Sequence, residues 1–343
     1  MSADPNPTPP RDVFAGRLAR GFFVTSQGET ILDVPGGNIL HAAVGYRIWE
    51  RDRRPGMLAR VGENYPQAWL RDFQAQGLDT QGVNILPRSL DLREFYAQDG
   101  EGRWVDDQPM SHFADLAVPL PNVLLGYQPR RERSGDRRKL SPLSVRQEDL
   151  PASYQTATGV HFCPLDYLTH HLLPSVLRQG GVTTLTLDPC PSYMAPAYFP
   201  DFPELVSGLT AFLPSESDLR NLFRRRTVDL WEMAAEIGSY SCSVVVIRGE
   251  DGGQYVYNAE SGRRWRIPPY QPQQANDLGS GDAFCGGFLA GFREHFDPRQ
   301  AALFGAVSAS LAQESRDPFY PLEVLKRLPE ARLTSLGQRV EEV

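Results

Sequence analysis

Lysine is almost absent from this chain of 343 residues. Only Lys139 and Lys326 occur, and neither belongs to a glycine-rich phosphate loop. Nucleotide-binding proteins of the P-loop class need a lysine directly after the glycines, so the sequence disfavours that class. The same scarcity leaves few candidates for a lysine that would form a Schiff base with a carbonyl substrate.

Cysteine pairs and long apolar runs are also missing. The four cysteines form no Cys-x-x-Cys pair, which indicates buried free thiols in a reducing compartment rather than a zinc site or a disulfide framework. No segment reaches the roughly 20 apolar residues that a membrane helix needs. The proline-rich first ten residues lack the apolar core of a signal peptide. We therefore expect a cytoplasmic protein without a membrane partner.

The charge balance is acidic, with a formal net charge of -7. A general nucleic-acid-binding protein needs a basic face for phosphates, so no nucleic-acid partner is expected. The length allows one large or two ordinary domains. Apolar residues make up 41% of the chain, which is enough for a buried core.

The two halves of the chain have different secondary-structure patterns. The first half predicts two β-hairpins, 18–25 with 29–34 and 91–97 with 103–106, and a helix over 39–50. The second half predicts strands over 160–163, 183–188, 209–213 and 243–248, and helices over 167–179, 217–226 and 228–237. Such alternation is typical of a mostly parallel sheet with helices on both faces.

The most informative segment changes from loop to helix near Ser280. Small residues at 279 to 281 leave backbone N–H groups open, and at a helix start these donors and the helix dipole form an anion site. Asp282 follows in the first turn, where a carboxylate can accept a proton from an attacking hydroxyl. The amides of Gly279, Ser280 and Gly281 can then stabilise a transferring phosphoryl group.

A second interpretation of the same segment involves no chemistry. The glycines would then serve tight packing, and Asp282 would only be stabilised by the helix dipole. Gly286, Gly287 and Gly291 are poor helix formers, and their presence predicts close packing of this helix against a strand or a ligand.

A longer comparison favours the first interpretation. The run GSGDAFCGGF at 279–288 resembles the C-terminal signature of the ribokinase-like, or PfkB-type, carbohydrate kinases. The run PGGN at 35–38 is similar to the N-terminal Gly-Gly signature of that family, and 244–253 resembles its nucleotide-side strand and turn. The similarity extends from about residue 12 to 320.

The resemblance implies a fold and its boundaries. We expect a ribokinase-like three-layer α/β/α domain with a mostly parallel central sheet and a small lid of β-strands. The implied ranges are a disordered tail over 1–11, a kinase domain over 12–330 with lid strands within about 17–35 and 88–108, and a C-terminal tail or helix over 331–343.

The resemblance also implies an activity, the phosphorylation of a hydroxyl group of a sugar or related polyol with ATP and Mg²⁺. Asp282 would be the base, and the amides of 279–281 would form the anion hole. The implied substrate contacts are Gly36, Gly37, Asn38 and His41. The implied nucleotide contacts are Arg248, Gly249 and Gly252.

Some positions depart from the family pattern. His41 replaces a substrate-binding asparagine, and Gly21 stands where relatives commonly have a sugar-binding aspartate. Asp218 takes the place of a glutamate that helps to hold magnesium. Asn276 replaces an aspartate tied to a monovalent-cation site, which leaves potassium dependence open. These departures keep two alternatives, a nucleoside kinase on the same fold and a non-catalytic ligand sensor.

The two hairpins carry the apolar residues Phe22, Phe23, Phe95 and Tyr96. Relatives often dimerise through the lid, so these residues have two interpretations. They form the interface of a homodimer, or they close over the substrate.

Overall fold

The computed structural model describes residues 8–99, 104–129, 136–270 and 277–343. Its strands are β1 Asp12–Ala15, β2 Ala19–Val24, β3 Thr30–Gly36, β4 Gly56–Gly62, β5 Asp79–Leu86, β6 Arg93–Gln98, β7 Trp104–Val105, β8 Gly159–Phe162, β9 Thr184–Leu187, β10 Ala211–Phe212, β11 Val244–Arg248, β12 Gln254–Asn258, β13 Arg264–Ile267 and β14 Glu341–Glu342. Its α-helices are α1 Asn38–Arg47, α2 Gln67–Ala75, α3 Pro109–Asp115, α4 Tyr167–Gln179, α5 Phe202–Val206, α6 Glu216–Leu222, α7 Leu230–Ser239, α8 Ser280–His295, α9 Pro298–Ala312, α10 Tyr320–Glu323 and α11 Arg327–Gly337.

A ten-stranded sheet forms the centre of the molecule, in the order β14-β13-β12-β11-β10-β9-β8-β1-β4-β5. The strands from β11 to β5 run parallel, and β12, β13 and β14 extend the sheet in antiparallel orientation at one edge. Strand β1 pairs with β4 on one side and β8 on the other, so the strand order changes direction there. Ligands of α/β proteins bind in crevices at the carboxyl ends of strands beside such a point.

Helices cover both faces of the sheet, and its parallel strands accordingly carry apolar side chains on both sides. On one face, Val13 and Ala15 of β1 belong to a core cluster shared with helices α4 to α7. On the opposite face, Phe14 packs with Ile39 and other residues of α1, and a neighbouring cluster joins the strands to α8 and α9. These layers confirm the predicted three-layer α/β/α architecture.

Helix α8 packs against α1 and α9, and its glycines allow this close approach. A Cβ atom added at Gly286 would lie 1.8 Å from the carbonyl oxygen of Ala42 in α1. One added at Gly287 would lie 2.3 Å from Ser308 Oγ in α9. The prediction that these glycines pack against a strand or a ligand was therefore wrong, because their partners belong to two neighbouring helices.

A second sheet of four strands, in the order β3-β2-β6-β7, forms the lid. The antiparallel pairs β2–β3 and β6–β7 correspond to the two predicted hairpins, and parallel pairing of β2 with β6 joins them. Residues 100–103, which include most of the predicted turn of the second hairpin and the first residue of its second strand, lie outside the described residues.

The two faces of the lid have different partners. Phe22 and Phe95 are fully buried and pack against Phe113 of α3, with Leu124 and Tyr127 completing the cluster. The opposite face of β2 and β6 lines the candidate site described below. The chain itself therefore covers the outer face of the lid.

The domain extends beyond the ends expected from the sequence. Pro10 is buried and Arg11 forms an ion pair with Glu50, so packed chain begins before residue 12. At the other end, α11 spans the predicted boundary at 330, and β14 joins the sheet by pairing with β13. Residues 1–7, the start of the predicted tail, lie outside the described residues.

Candidate active site

A cavity of about 220 Å³ lies between the lid and the central domain. Its walls come from lid strands β2, β3 and β6, from helices α1 and α8, and from the loops that follow β1 and β8. Six residues that the sequence predicted as site residues line this one cavity: Gly36, Gly37, Asn38, His41, Gly279 and Asp282. They come from distant parts of the chain, and the fold brings them together.

Helix α8 begins at this cavity without a side-chain cap, since the N-cap residue is Gly279. Its φ of 78° is a left-handed conformation that favours glycine. The amide of Ser280 donates to the carbonyl oxygen of Asp277 at 3.3 Å and is thus engaged in a turn. Within the described part of the chain, the amides of Gly281 and Asp282 have no backbone partner. These two are the free donors that a helix start offers to an anion.

His41 on α1 lies directly beside the start of α8. A Cβ atom added at Gly279 would lie 2.5 Å from the His41 ring, so glycine is needed there for space as well as for conformation. Burial lowers the pKa of His41 to about 4. The imidazole is therefore neutral near pH 7, with one ring nitrogen that donates and one that accepts a hydrogen bond.

Asn38 lines the cavity, but its carboxamide is already engaged with the backbone. Its Oδ1 accepts from the amide of Arg17 at 2.8 Å, and its Nδ2 donates to the carbonyl oxygen of Pro164 at 2.8 Å. Asn38 thereby ties together the loops that follow β1 and β8. Gly37 precedes it with a φ of 101°, and a Cβ atom there would lie 2.3 Å from the carbonyl oxygen of Arg17.

Asp282 lies in the first turn of α8 beside the anion donors, and its environment suits a base. Burial raises the pKa of its carboxyl to about 7, Asp188 and Glu94 add to the increase, and Arg248 and Arg17 oppose it. A general base works best when its pKa lies near the working pH. A carboxylate in this position can therefore accept a proton from a bound hydroxyl group near neutral pH.

An ion pair lies behind the first turn of α8. Arg248, the last residue of β11, donates from Nη2 to Asp188 Oδ1 at 2.6 Å and from Nη1 to the carbonyl oxygen of Gly281 at 2.9 Å. Asp188 follows β9 and is 1% exposed. Arg248, which the sequence predicted as a nucleotide contact, thus binds the backbone of the predicted phosphate site. Its partner Asp188 was not among the predicted site residues.

The cavity lining also includes Arg17, Glu94 and Arg316, which the sequence did not single out as site residues. Phe23 and Tyr96 of the lid line it too, which is the position that closure over a substrate requires. Glu94 and Tyr96 are on β6, on the face opposite to the buried Phe95. The alternation of side chains along a strand predicts that Glu94 and Tyr96 share one face of β6. The sequence does not indicate that this face lines the cavity, since that depends on how the lid packs on the central domain. Arg316 pairs with Glu29 at 3.6 Å and thereby connects the central domain to the lid.

A second cleft of about 590 Å³ adjoins the first and shares Arg17, Glu94, Tyr96 and Pro164 with it. Its remaining wall comes from the lid and its cover, including Asp106 and Tyr127, and from residues 190–192. The cavity beside Asp282 therefore continues into a wider region away from this residue.

The predicted nucleotide and metal residues lie in different places. Gly249 and Gly252 form the turn between β11 and β12, in which the Gly252 amide donates to the Gly249 carbonyl oxygen at 2.9 Å. Asp218 lies at the start of α6, where Ser215 Oγ donates to its Oδ2 at 2.6 Å. Burial raises the pKa of Asp218. Asn276, predicted at a monovalent-cation site, lies outside the described residues.

The described residues contain neither a metal-binding cluster nor a membrane-spanning helix. Over 8–99, 104–129, 136–270 and 277–343, no group of three or more His, Cys, Asp or Glu side chains is arranged to hold a metal ion. None of the helices in these ranges is long and apolar enough to span a membrane.

A buried carboxyl group beside free amide donors at a helix start suits phosphoryl transfer, and comparison with known proteins supports this class. The sequence model of the pfkB family carbohydrate kinases matches residues 151–324. The chain belongs to this family, and the resemblance found in the sequence is confirmed.

Similar proteins include sugar kinases and nucleoside kinases. The cytidine kinase of Thermococcus kodakarensis is 25% identical over 285 residues, which cover 82% of this chain and 87% of that protein. A candidate ribokinase II from E. coli, in complex with ATP and Mg²⁺, matches with a TM-score of 0.66 and 14% identity over 95% of this chain and 99% of that one. The Burkholderia thailandensis nucleoside kinase in complex with inosine matches with a TM-score of 0.66 and 15% identity over 95% of this chain and 97% of that one. These structural likenesses confirm the ribokinase-like fold.

Proposed function

We propose that this kinase transfers the terminal phosphoryl group of ATP to a hydroxyl group of a sugar or related polyol bound under the lid. The observation that carries the proposal is the position of Asp282. It shares one cavity with His41 and Glu94 and lies beside the free amide donors at the start of α8. A proton acceptor and an anion site next to a cavity for the acceptor substrate, here called the acceptor cavity, are the parts that phosphoryl transfer needs.

The reaction follows from this arrangement. The acceptor hydroxyl lies against Asp282, which takes its proton as the oxygen attacks the terminal phosphorus of ATP. One oxygen–phosphorus bond forms, the bond from that phosphorus to the bridging oxygen breaks, and ADP leaves. The amides of Gly281 and Asp282 stabilise the charge on the transferring group. The lid excludes water, which limits hydrolysis of ATP without an acceptor.

Magnesium fits this site in an indirect role. Kinases bind Mg²⁺ through one or two carboxylates together with the phosphates of the substrate, so no cluster of three protein ligands is required. Asp218 is our candidate contributor, because it lies in the first turn of α6 and its charge interacts with those of Asp188 and Arg248 behind the start of α8. When bound, the ion supplies positive charge for the phosphates. Titration of K⁺ at constant ionic strength, with ADP release as the readout, tests monovalent-cation dependence.

A nucleoside acceptor is the second candidate. Two observations favour it, the relative named as a cytidine kinase, whose match covers 82% of this chain, and the wide cleft that continues from the acceptor cavity. The sugar of a nucleoside would lie against Asp282 with its base in that cleft. This alternative also agrees with Gly21, which cannot supply the carboxylate that relatives use for sugar hydroxyls.

A panel of pentoses, hexoses, polyols and nucleosides separates the two candidates. ADP release is measured with ATP and Mg²⁺ for each acceptor, at equal concentration. Turnover of sugars or polyols without turnover of nucleosides supports the main proposal. Turnover of nucleosides with a much higher kcat/KM supports the second candidate, and no turnover of any acceptor contradicts both.

Homodimerisation through the lid would need a surface other than Phe22 and Phe95, because these residues are already buried within one chain. We propose that the protein forms a homodimer at the outer edge of β3, which is an edge strand of the described lid sheet and on which Leu32 is 41% exposed. Light scattering at micromolar concentration tests this, and a monomer would contradict it. The four cysteines are buried, and no disulfide links them among the described residues, which supports the proposal of a reducing, cytoplasmic location.

A further inference from the structure

The ion pair of Arg248 and Asp188 connects three elements of the fold at one point. Asp188 follows β9, Arg248 ends β11, and Gly281 is in the first turn of α8. The guanidinium group binds both other partners at once, at 2.6 Å to the Asp188 carboxylate and 2.9 Å to the Gly281 carbonyl oxygen. A Cβ atom added at Gly281 would lie 2.8 Å from Arg248 Nη1, so glycine leaves the space that this contact needs.

Arg248 lies outside the cavities that would hold the acceptor substrate. Arg248 lines neither the acceptor cavity nor the adjoining cleft, although its partner Gly281 directly precedes Asp282. Cys285, one turn further along α8, lies 3.6 Å from both Arg248 Nη1 and Asp188 Oδ2. The ion pair therefore supports the first turn of α8 from behind.

The charges around Asp282 come from several elements. Asp188 after β9 and Glu94 on the lid disfavour its ionisation, whereas Arg248 on β11 and Arg17 after β1 favour it. The neutral thiol of Cys163, after β8, is a further titratable neighbour. The side chain of His41 on α1 lies beside the same helix start and is neutral. The carboxylate of Asp218 on α6 acts on Asp188 and Arg248.

We propose that Arg248 is a positioning residue that holds the start of α8 in place and balances the buried charge of Asp188, so that Asp282 can act as the base. This inference rests on the proposed phosphotransferase function. It assigns Arg248 a role through Asp188 and Gly281, in place of the direct nucleotide contact expected from the sequence.

The pH dependence of kcat/KM for the acceptor, at saturating ATP and Mg²⁺, distinguishes this role from simple packing. Arg248→Met removes the positive charge and keeps a side chain of similar length, so the pKa of Asp282 should rise. We therefore expect the acidic limb of the pH–rate profile, where activity rises as the base ionises, to move to higher pH by about one unit. Asp188→Asn removes the negative charge and should move the limb to lower pH. The double variant Arg248→Met/Asp188→Asn should return the limb to within a few tenths of a unit of the wild type.

Two further variants serve as controls. Arg248→Lys keeps the charge but loses the forked contact, so kcat should fall while the limb stays in place. Arg60→Met breaks a comparably buried ion pair, in which Arg60 Nε donates to Asp149 Oδ2 at 2.7 Å outside the lining of both cavities. It should lower stability and leave the limb unchanged. An unmoved limb in Arg248→Met, or an equal shift in Arg60→Met, would overturn the proposal.

A measurement without substrate keeps this test separate from the proposed function. The difference in unfolding free energy between each protein and its Asp282→Asn derivative, followed against pH, reports the ionisation of Asp282 in the folded state. The transition should lie at higher pH in the Arg248→Met background than in the wild-type background, and equal transitions would contradict the inference. If no acceptor is phosphorylated, the proposed function fails, and this comparison still decides whether Arg248 controls Asp282.

Discussion

Removal of the Asp282 charge should stabilise the folded protein at neutral and alkaline pH. Burial raises the pKa of this carboxyl to about 7. The unfolded chain releases the same proton near pH 4, so in the wild type this group lowers stability as the pH rises from about 4 to about 7, with no further change above. Each pKa unit corresponds to about 1.4 kcal/mol, which sets an upper limit of about 4 kcal/mol for the penalty.

Urea unfolding of the wild type and Asp282→Asn, at about pH 5 and about pH 8, measures this penalty. Between the two conditions, the stability of the variant relative to the wild type should increase by about 1–3 kcal/mol. Asp297→Asn is a matched control, because Asp297 caps α9 and asparagine caps helices equally well. A difference between Asp282→Asn and wild type that is the same at both pH values would refute the reasoning.

Three more substitutions test the packing and the site. Gly286→Ala should lower the free energy of unfolding in urea by about 2 kcal/mol or more, because its Cβ would meet the Ala42 carbonyl oxygen. The control Gly337→Ala should be neutral or stabilising, because a Cβ there would lie 3.8 Å from Leu303, an ordinary contact distance. Equal losses in the two variants would contradict this view of α8. Gly279→Ala should reduce kcat at least tenfold, because the added Cβ would displace the His41 ring and alanine is strained in the left-handed backbone conformation of this position. An unchanged kcat would show that the start of α8 tolerates a side chain. Glu94→Gln should raise KM for the acceptor several-fold and leave KM for ATP unchanged, and the reverse pattern would move Glu94 out of the acceptor cavity.

Local sequence signals were sufficient for some elements and insufficient for others. The two hairpins and the helices over 167–179 and 230–239 were predicted closely, since their periodicity is visible within a few residues. Strand β4 was not predicted, because Arg60 interrupts its apolar pattern. Arg60 is only 5% exposed, and its charge is balanced by Asp149, 89 residues further along the chain. Such compensation depends on tertiary contacts that no local pattern reveals.

The same limit applies to the site. Motifs predicted Gly36, Gly37, His41 and Asp282 as neighbours, and they line one cavity. The ion pair of Asp188 with Arg248 joins residues 60 positions apart, so it follows only from the order of the parallel strands. Likewise, Glu94 became a candidate only when the docked lid showed which face of β6 meets the cavity.

The most direct test of the central claim is ADP release by wild type and Asp282→Asn with the best acceptor from the panel, at about pH 8 with ATP and Mg²⁺. A positioned base contributes about 10²–10⁴ in rate. We predict acceptor-dependent ADP release by the wild type and a loss of that size in Asp282→Asn, with ATP binding retained. Turnover of the variant within a few-fold of the wild type would contradict the assignment of Asp282 as the base.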